Sequence, residues 1–357
     1  MQSLDNTDYS RSKSDTERQK LKLKDIQHAE DVWKQKSGDS QQIAKLYLAM
    51  LRAAEIKAYG VKVVNRDKGE FDPSYMYMDQ LNDMLVQVDL GGKLYTLDPG
   101  EKMCPFGIVN WRHAGVRGLG QDDKKAGLAE LPHLSYRDNS ASRTAVLTLD
   151  EQGGIQSGVV QFSYTGQVAL EWRQKALEND PEEMKKLFDH ALEDQLPEGV
   201  EAHLDNFQGM ENPDVSLVAY IKVSGRIGAA TSKRLVLPGQ FFDVRGHRPF
   251  VSQEKRQTPV DMHYARKTTD QVTYKFPADY TVEGAPADDN IKWENHAVYM
   301  VKTARQAGNI TVARVLMQAF DQAKPEEYQE LRGFYQKVAT ADQQQIVLTA
   351  QSAAKGN

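Results

Sequence analysis

Apolar positions along the chain change period more than once, and the changes mark its elements. Leu23, Ile26, Ala29, Val32 and Trp33 fall on one helical face. Ser37-Gly38-Asp39 interrupts the run. Ile43, Leu46, Tyr47, Met50, Leu51 and Ala54 then recur at steps of three and four, which predicts a second helix with a buried stripe. Asp39 stands where its N-cap belongs, and Gln42 where the capping-box partner belongs. After Gly60 the pattern shortens to a β-branched strand, Val61 to Val64, ended by Asn65-Arg66-Asp67. Asn82 to Asp98 reads as a hairpin turning at Gly91-Gly92. A two-residue turn there pairs 90 with 93, and hence 85 with 98. Position 83 then lies diagonal to 98 on one face, roughly 7 Å away. Gly100 to Ser142, rich in Gly, Pro and Asp, reads as a long ordered loop and linker.

A strand-rich pattern follows. Thr144 to Leu149 and Val159 to Tyr164 form a hairpin about Gly153-Gly154, and a helical interlude comes next. Asp180-Pro181-Glu182-Glu183 is a strong helix start, with Met184, Leu187, Phe188, Ala191 and Leu192 on its apolar face. Strands are expected over 215–223, 233–237, 271–276, 291–302 and 311–320, joined as in an antiparallel sheet or sandwich. A last helix opens at Pro325, and the Gln- and Ala-rich end is expected to fray. The division that results is a flexible lead-in (1–20), an α+β core (21–120), a linker (121–142) and a β-rich, sandwich-like domain with inserted helices (143–345).

Composition removes several function classes. The 357 residues suffice for two domains; 40% are hydrophobic and 27% charged, with a formal charge of −5. Acids and bases are interspersed, so no basic face for nucleic acid is expected. No apolar run reaches the about 18 residues of a membrane span. The segment 1–20 is too polar for a signal peptide. The single cysteine, Cys104, excludes a disulfide framework and a cysteine metal cluster, and its setting Met103-Cys104-Pro105-Phe106-Gly107 reads as a partly buried turn thiol. His28, His133, His190, His203, His247, His263 and His296 are scattered without metal-ligand spacing, and no phosphate loop is present. No cofactor and no metal are expected.

Ser37-Gly38-Asp39-Ser40, the following helix, Leu51-Arg52-Ala53-Ala54-Glu55-Ile56, the strand from Met84 to Val88, and Gly92-Lys93-Leu94-Tyr95-Thr96-Leu97-Asp98-Pro99 together resemble the core of bacterial transglutaminase-like proteins, which have a papain-like fold. The resemblance covers residues 25 to 118. The strand-rich remainder more diffusely resembles the β domain that follows this core in large exported proteins. What the resemblance implies is a Cys-His-Asp triad. A cysteine at the first turn of a helix gains thiolate character from the helix dipole, a histidine on a neighbouring strand is the base, and an aspartate orients it.

By the match, the nucleophile position is Ser40, the base position Asp83 and the orienting position Asp98; only the aspartate survives. A serine needs a base near neutrality, and a carboxylate is a poor one. Two facing carboxylates repel, share a proton or recruit a cation. The expectation is therefore a non-enzymatic relative, a binding or scaffold module able to hold a peptide or protein ligand in the degenerate cleft. The resemblance further implies a periplasmic or extracellular location and a chain that continues N-terminal to residue 1 in longer relatives. The alternative is a serine-based hydrolase or acyltransferase built on Ser40, with His113 as replacement base. The plainer reading of Ser40 is a first-turn residue that satisfies an exposed N–H; that of Asp83 and Asp98 is a pair of solvated hairpin ends.

Overall fold

The computed structural model describes residues 1–351 apart from 12, 76, 122–124, 232, 243–249 and 251–253; His247 lies outside the described residues. The chain divides into two units: residues 1–134, 166–180 and 210–215 form the first, and residues 135–165, 181–209 and 216–357 the second. Both are mixed α+β, and the second is dominated by sheet.

The first unit contains β1 (Asp5–Asn6), α1 (Asp15–Lys20), α2 (Ala29–Gln35), β2 (Ser37–Gly38), α3 (Ser40–Ala53), β3 (Ala58–Val63), β4 (Asp83–Leu90), β5 (Lys93–Leu97), β6 (Arg117–Gln121), β7 (Ala126–Glu130) and α4 (Gly166–Glu178). Its five-stranded sheet has the order β5-β4-β3-β6-β7, antiparallel throughout. Ala44, Tyr47, Leu48 and Leu51 of α3 pack on one face, against Ala58, Val86, Val88 and Leu97. Val61, Val63 and Leu85 cover the other face with Val109, Ala114 and Leu131. Each fully buried aliphatic side chain here contributes about 1.5–3 kcal/mol of transfer free energy. The β4–β5 hairpin has the register the sequence predicts: Leu90 pairs with Lys93 and Val86 with Leu97, about a turn in which Gly91 and Gly92 both have positive φ.

The second unit contains α5 (Pro181–Glu193), α6 (Tyr328–Asp342) and the strands β8 (Ser140–Leu149), β9 (Ile155–Tyr164), β10 (Val200–Gln208), β11 (Leu217–Gly225), β12 (Ala229–Ala230), β13 (Arg234–Pro238), β14 (Val260–Asp261), β15 (Arg266–Lys275), β16 (Tyr280–Gly284), β17 (Asp289–Trp293), β18 (Ala297–Gln306), β19 (Asn309–Gln318), β20 (Gln322–Ala323) and β21 (Gln345–Ala350). An eight-stranded sheet runs β10-β11-β9-β8-β15-β19-β18-β17 and a four-stranded sheet β12-β13-β21-β16; β14 pairs with β20.

Six expectations need correction. The lead-in is ordered: β1 pairs in parallel with β2, and Leu4 is buried with Val32, Ile43 and Leu46. The helix expected from Leu23 begins only at Ala29, because Asp31 accepts the backbone N–H of His28 and sets the start there. The stretch 121–142 holds β7 and the start of β8, since Leu128 and its small neighbours can pair with β6 without an apolar period of their own. The eight-stranded sheet is mixed: β15 lies parallel to β8, as a long connection permits. The C-terminal stretch does not fray over 345–350. Ile346 and Leu348 alternate inward, and β21 is hydrogen-bonded on both sides, to β13 and β16. The run 291–302 is also two strands, broken at Asn295, whose φ is +63°.

Candidate functional site

Ser40 is the first residue of α3. Asp39 caps the helix: its Oδ1 accepts from Gln42 N at 2.7 Å, and Gln42 Oε1 accepts from Asp39 N at 3.0 Å. The Ser40 hydroxyl therefore does not perform the capping expected of it. It accepts instead from Asn6 Nδ2 at 3.1 Å, and the Ser40 backbone N–H donates to Asp8 Oδ2 at 2.9 Å. Asn6 Nδ2 also reaches the Gly100 carbonyl at 2.7 Å. Gly100 presses on the helix start so closely that a Cβ there would meet the Ser40 carbonyl oxygen at 2.4 Å.

Asp83 opens β4 and Asp98 follows β5, so the hairpin register brings them to the same end of the sheet. Between them lies the imidazole of His113. A 3-10 turn, Trp111–His113, presents it, and Asn110 caps that turn by accepting Arg112 N at 3.0 Å. His113 Nδ1 is 2.7 Å from Asp98 Oδ2, and Nε2 is 3.2 Å from Asp83 Oδ2. Asp98 Oδ2 also accepts from Asn110 N at 3.1 Å. The two carboxylates thus face a cation, and the chain itself supplies it. His113 is 2% exposed. Burial pushes its pKa down, but the charge of Asp98, the hydrogen bonds to Asp83 and Asp98 and the charge of Glu101 overcome this and raise it to about 10. At neutral pH both ring nitrogens carry protons and both are donated to carboxylates. Among the described residues, no hydrogen bond joins His113 to Ser40.

Glu101 completes the cluster. It is buried, and its Oε2 accepts from Tyr9 OH at 2.5 Å, Asn110 Nδ2 at 3.0 Å and Gln174 Nε2 at 2.9 Å. Burial and the neighbouring Asp98 charge raise its pKa. Ligand atoms of Asp98, Glu101 and His113 lie within 4.8 Å of one another, close enough to surround a metal ion. A protonated His113 offers no lone pair, however, and the carboxylate oxygens named above already accept N–H and O–H groups of the chain. Cys104 donates to the Ile108 carbonyl at 3.3 Å, and burial together with the charges of Asp98 and Glu101 pushes its thiol up, away from thiolate.

Ser40, Asp83 and Asp98 all belong to this region, as do six residues that sequence reasoning did not single out for it: Asn6, Asp8, Tyr9, Glu101, Asn110 and Gln174. None of the six sits at a recognisable motif spacing. Gln174 comes from α4, seventy-three residues beyond Glu101.

Residues 233–348 match a family described as a domain of unknown function with a solved structure, DUF3858. No curated protein matches the chain. A crystal structure from Parabacteroides distasonis, provisionally described as a protease, is 12% identical in sequence with a TM-score of 0.48; the match takes in 91% of this chain and 46% of that one. The chain thus spans about half the length of that protein. Among the described residues, no helix is long and apolar enough to cross a membrane.

Proposed function

We propose that this chain is a catalytically inactive relative of the transglutaminase-like, papain-fold enzymes, acting as a binding or scaffold module in the bacterial cell envelope. In this reading Ser40, Asp83 and Asp98 occupy the positions of a Cys-His-Asp triad. The observation that carries it is the clamping of His113 between Asp83 and Asp98. Acyl transfer needs a nucleophile activated by a neutral base within hydrogen-bond reach. Here the imidazole in the region is held as an imidazolium by two carboxylates, and the serine hydroxyl faces the amide of Asn6. Asp83, at the base position, is occupied with His113. A cationic histidine neutralises the charge that a lost triad leaves behind, which keeps the cleft folded without restoring its chemistry.

One observation favours the alternative, a serine hydrolase: the 2.7 Å His113–Asp98 contact has the form of a catalytic dyad. For that reading, Nε2 must leave Asp83 and turn to Ser40. A fluorophosphonate probe tests both. The expected result is no modification of Ser40 in the folded chain between pH 7 and 9, beside a serine hydrolase that labels fully. Labelling at Ser40 that disappears in His113→Gln would establish the hydrolase and end the inactive reading.

A further inference from the structure

The surroundings of Ser40 hold a ligand already, and it belongs to the chain. Residues 2–9 pack along the start of α3, extended over Asp5–Asn6 and turned on either side. Asp5 N donates to the Lys36 carbonyl at 2.9 Å and Thr7 N to the Gly38 carbonyl at 3.0 Å, so the segment adds a strand to the edge formed by Ser37 and Gly38. Between and after these backbone contacts three side chains enter three receptors. The Asn6 amide bridges Ser40 Oγ and the Gly100 carbonyl, and Asn6 is 1% exposed. The Asp8 carboxylate takes the free N–H of Ser40 at the positive end of the α3 dipole. The Tyr9 hydroxyl donates to buried Glu101, which Gln174 and Asn110 hold in place. Upstream, Gln2 Oε1 accepts from Met103 N at 2.9 Å, and Leu4 fills an apolar pocket beside Val32, Ile43 and Leu46.

We propose that the groove at the start of α3 is a peptide-recognition site, filled in cis by residues 2–9, and that the ligand class it takes in trans is a peptide of the pattern Leu-x-Asn-x-Asp-Tyr. The proposal rests on reading the Ser40 cleft as a binding cleft. The receptor chemistry sets the class. The Gly100 carbonyl needs a donor and Ser40 Oγ a second one, which a carboxamide supplies together. The helix N-terminus takes an anion two residues on, and the buried Glu101 carboxylate takes a hydroxyl donor next to it. A tethered segment has a millimolar-scale effective concentration. The intact chain therefore excludes free peptides, and the groove opens to a partner only when the segment is cut or drawn away.

The test uses the full chain with a specific protease site inserted after Arg11, an exposed residue that precedes α1. After cleavage the N-terminal fragment is removed by size exclusion, and fluorescein-labelled Met1–Arg11 peptide is titrated by anisotropy. The expected results are saturable micromolar binding to the cut chain and at least about a hundredfold weaker binding to the intact chain. The Asn6→Ala, Asp8→Ala and Tyr9→Phe peptides should each bind several-fold more weakly. Absence of saturable binding to a cut chain that keeps its circular dichroism overturns the proposal, as does equal binding by the substituted peptides. A fragment that leaves only when the remainder unfolds also overturns it, because the segment is then a permanent strand. Fluorophosphonate labelling of the cut chain reads the underlying assumption separately: modification of Ser40 would remove the inactive reading and leave the peptide binding as measured.

Discussion

Two buried ionic networks lie in this molecule, one in each unit, and they are built on different principles. In the second unit Arg143, Asp270 and Arg314 stand directly opposite one another on β8, β15 and β19. Arg143 forks onto both oxygens of Asp270 at 2.7 and 2.9 Å; Arg314 reaches Asp270 at 2.9 Å and forks onto Asp342 at 2.9 Å twice. Two guanidiniums meet two carboxylates in bidentate pairs; sheet register places Arg143, Asp270 and Arg314, and the end of α6 supplies Asp342. In the first unit the positive charge is an imidazole on a 3-10 turn. It meets two carboxylates at strand ends, with a third, Glu101, nearby. The positive charge of the Arg network is carried by guanidiniums, which are not deprotonated in proteins. The His network depends on a proton, sits in loops and strand ends, and borders the partly exposed Ser40. The first behaves as a brace. The second is the kind of environment a functional site leaves behind.

The largest expected effect comes from the brace. Asp270→Ala takes from buried Arg143 its bidentate carboxylate and from Arg314 one of its two carboxylates, and should cost about 3–5 kcal/mol, read as a shift of the urea midpoint at unchanged m. A change below about 1 kcal/mol would mean that the second unit does not depend on this network.

His113→Gln comes next, because Asp83 and Asp98 then face each other without a cation; a loss of about 2–4 kcal/mol is expected. The pH dependence separates the two networks. The His113 pKa is about 10 folded against 6.5 for the free side chain, so its contribution is fully present below pH 6.5 and is lost as pH rises towards 10. Glu101 acts in the same direction: its raised folded pKa makes ionisation unfavourable to the fold as pH climbs above the ordinary glutamate value. Stability of the first unit should therefore fall between about pH 7 and 10. In His113→Gln the fall should shrink, and in Asp270→Ala it should persist. A wild-type profile flat over that range would contradict the protonated clamp.

Smaller effects probe the edge of the His network. Gly100→Ala sets a Cβ against the Ser40 carbonyl oxygen, and about 1–3 kcal/mol of strain is expected, seen as a lower thermal midpoint. Ser40→Ala removes one acceptor from Asn6 Nδ2, which keeps its bond to the Gly100 carbonyl, so the midpoint should move by less than about 1 kcal/mol. A large loss on Ser40→Ala would make the hydroxyl structurally central.

Much of the scaffold was legible before the structure. The Asp39–Gln42 capping box and the stripe from Ile43 to Leu51 located α3, and the Gly91-Gly92 turn fixed the pairing of β4 with β5. The elements that escaped have a common cause. Leu4 and Asn6 carry no periodic signal because their order comes from pairing with β2, and Gly127-Leu128-Ala129 became β7 only because β6 offers an edge. His113 was visible as a loop histidine and as a candidate replacement base for Ser40, not as the partner of both aspartates. The carboxylates that determine its charge lie fifteen and thirty residues away in sequence.

Local chemistry and alternation were enough to determine where α3 and α5 begin, and that Asp83 and Asp98 share one end of a hairpin. These follow from backbone hydrogen bonding and the two side-chain periods, which act over a few residues. Tertiary structure alone decided that His113 lies between those aspartates, that Glu101 draws Tyr9, Asn110 and Gln174 to one oxygen, and that residues 2–9 lie across the start of α3. Each brings together groups from distant parts of the chain, and burial in a low-dielectric interior then fixes their charge states. No local pattern can encode such a meeting.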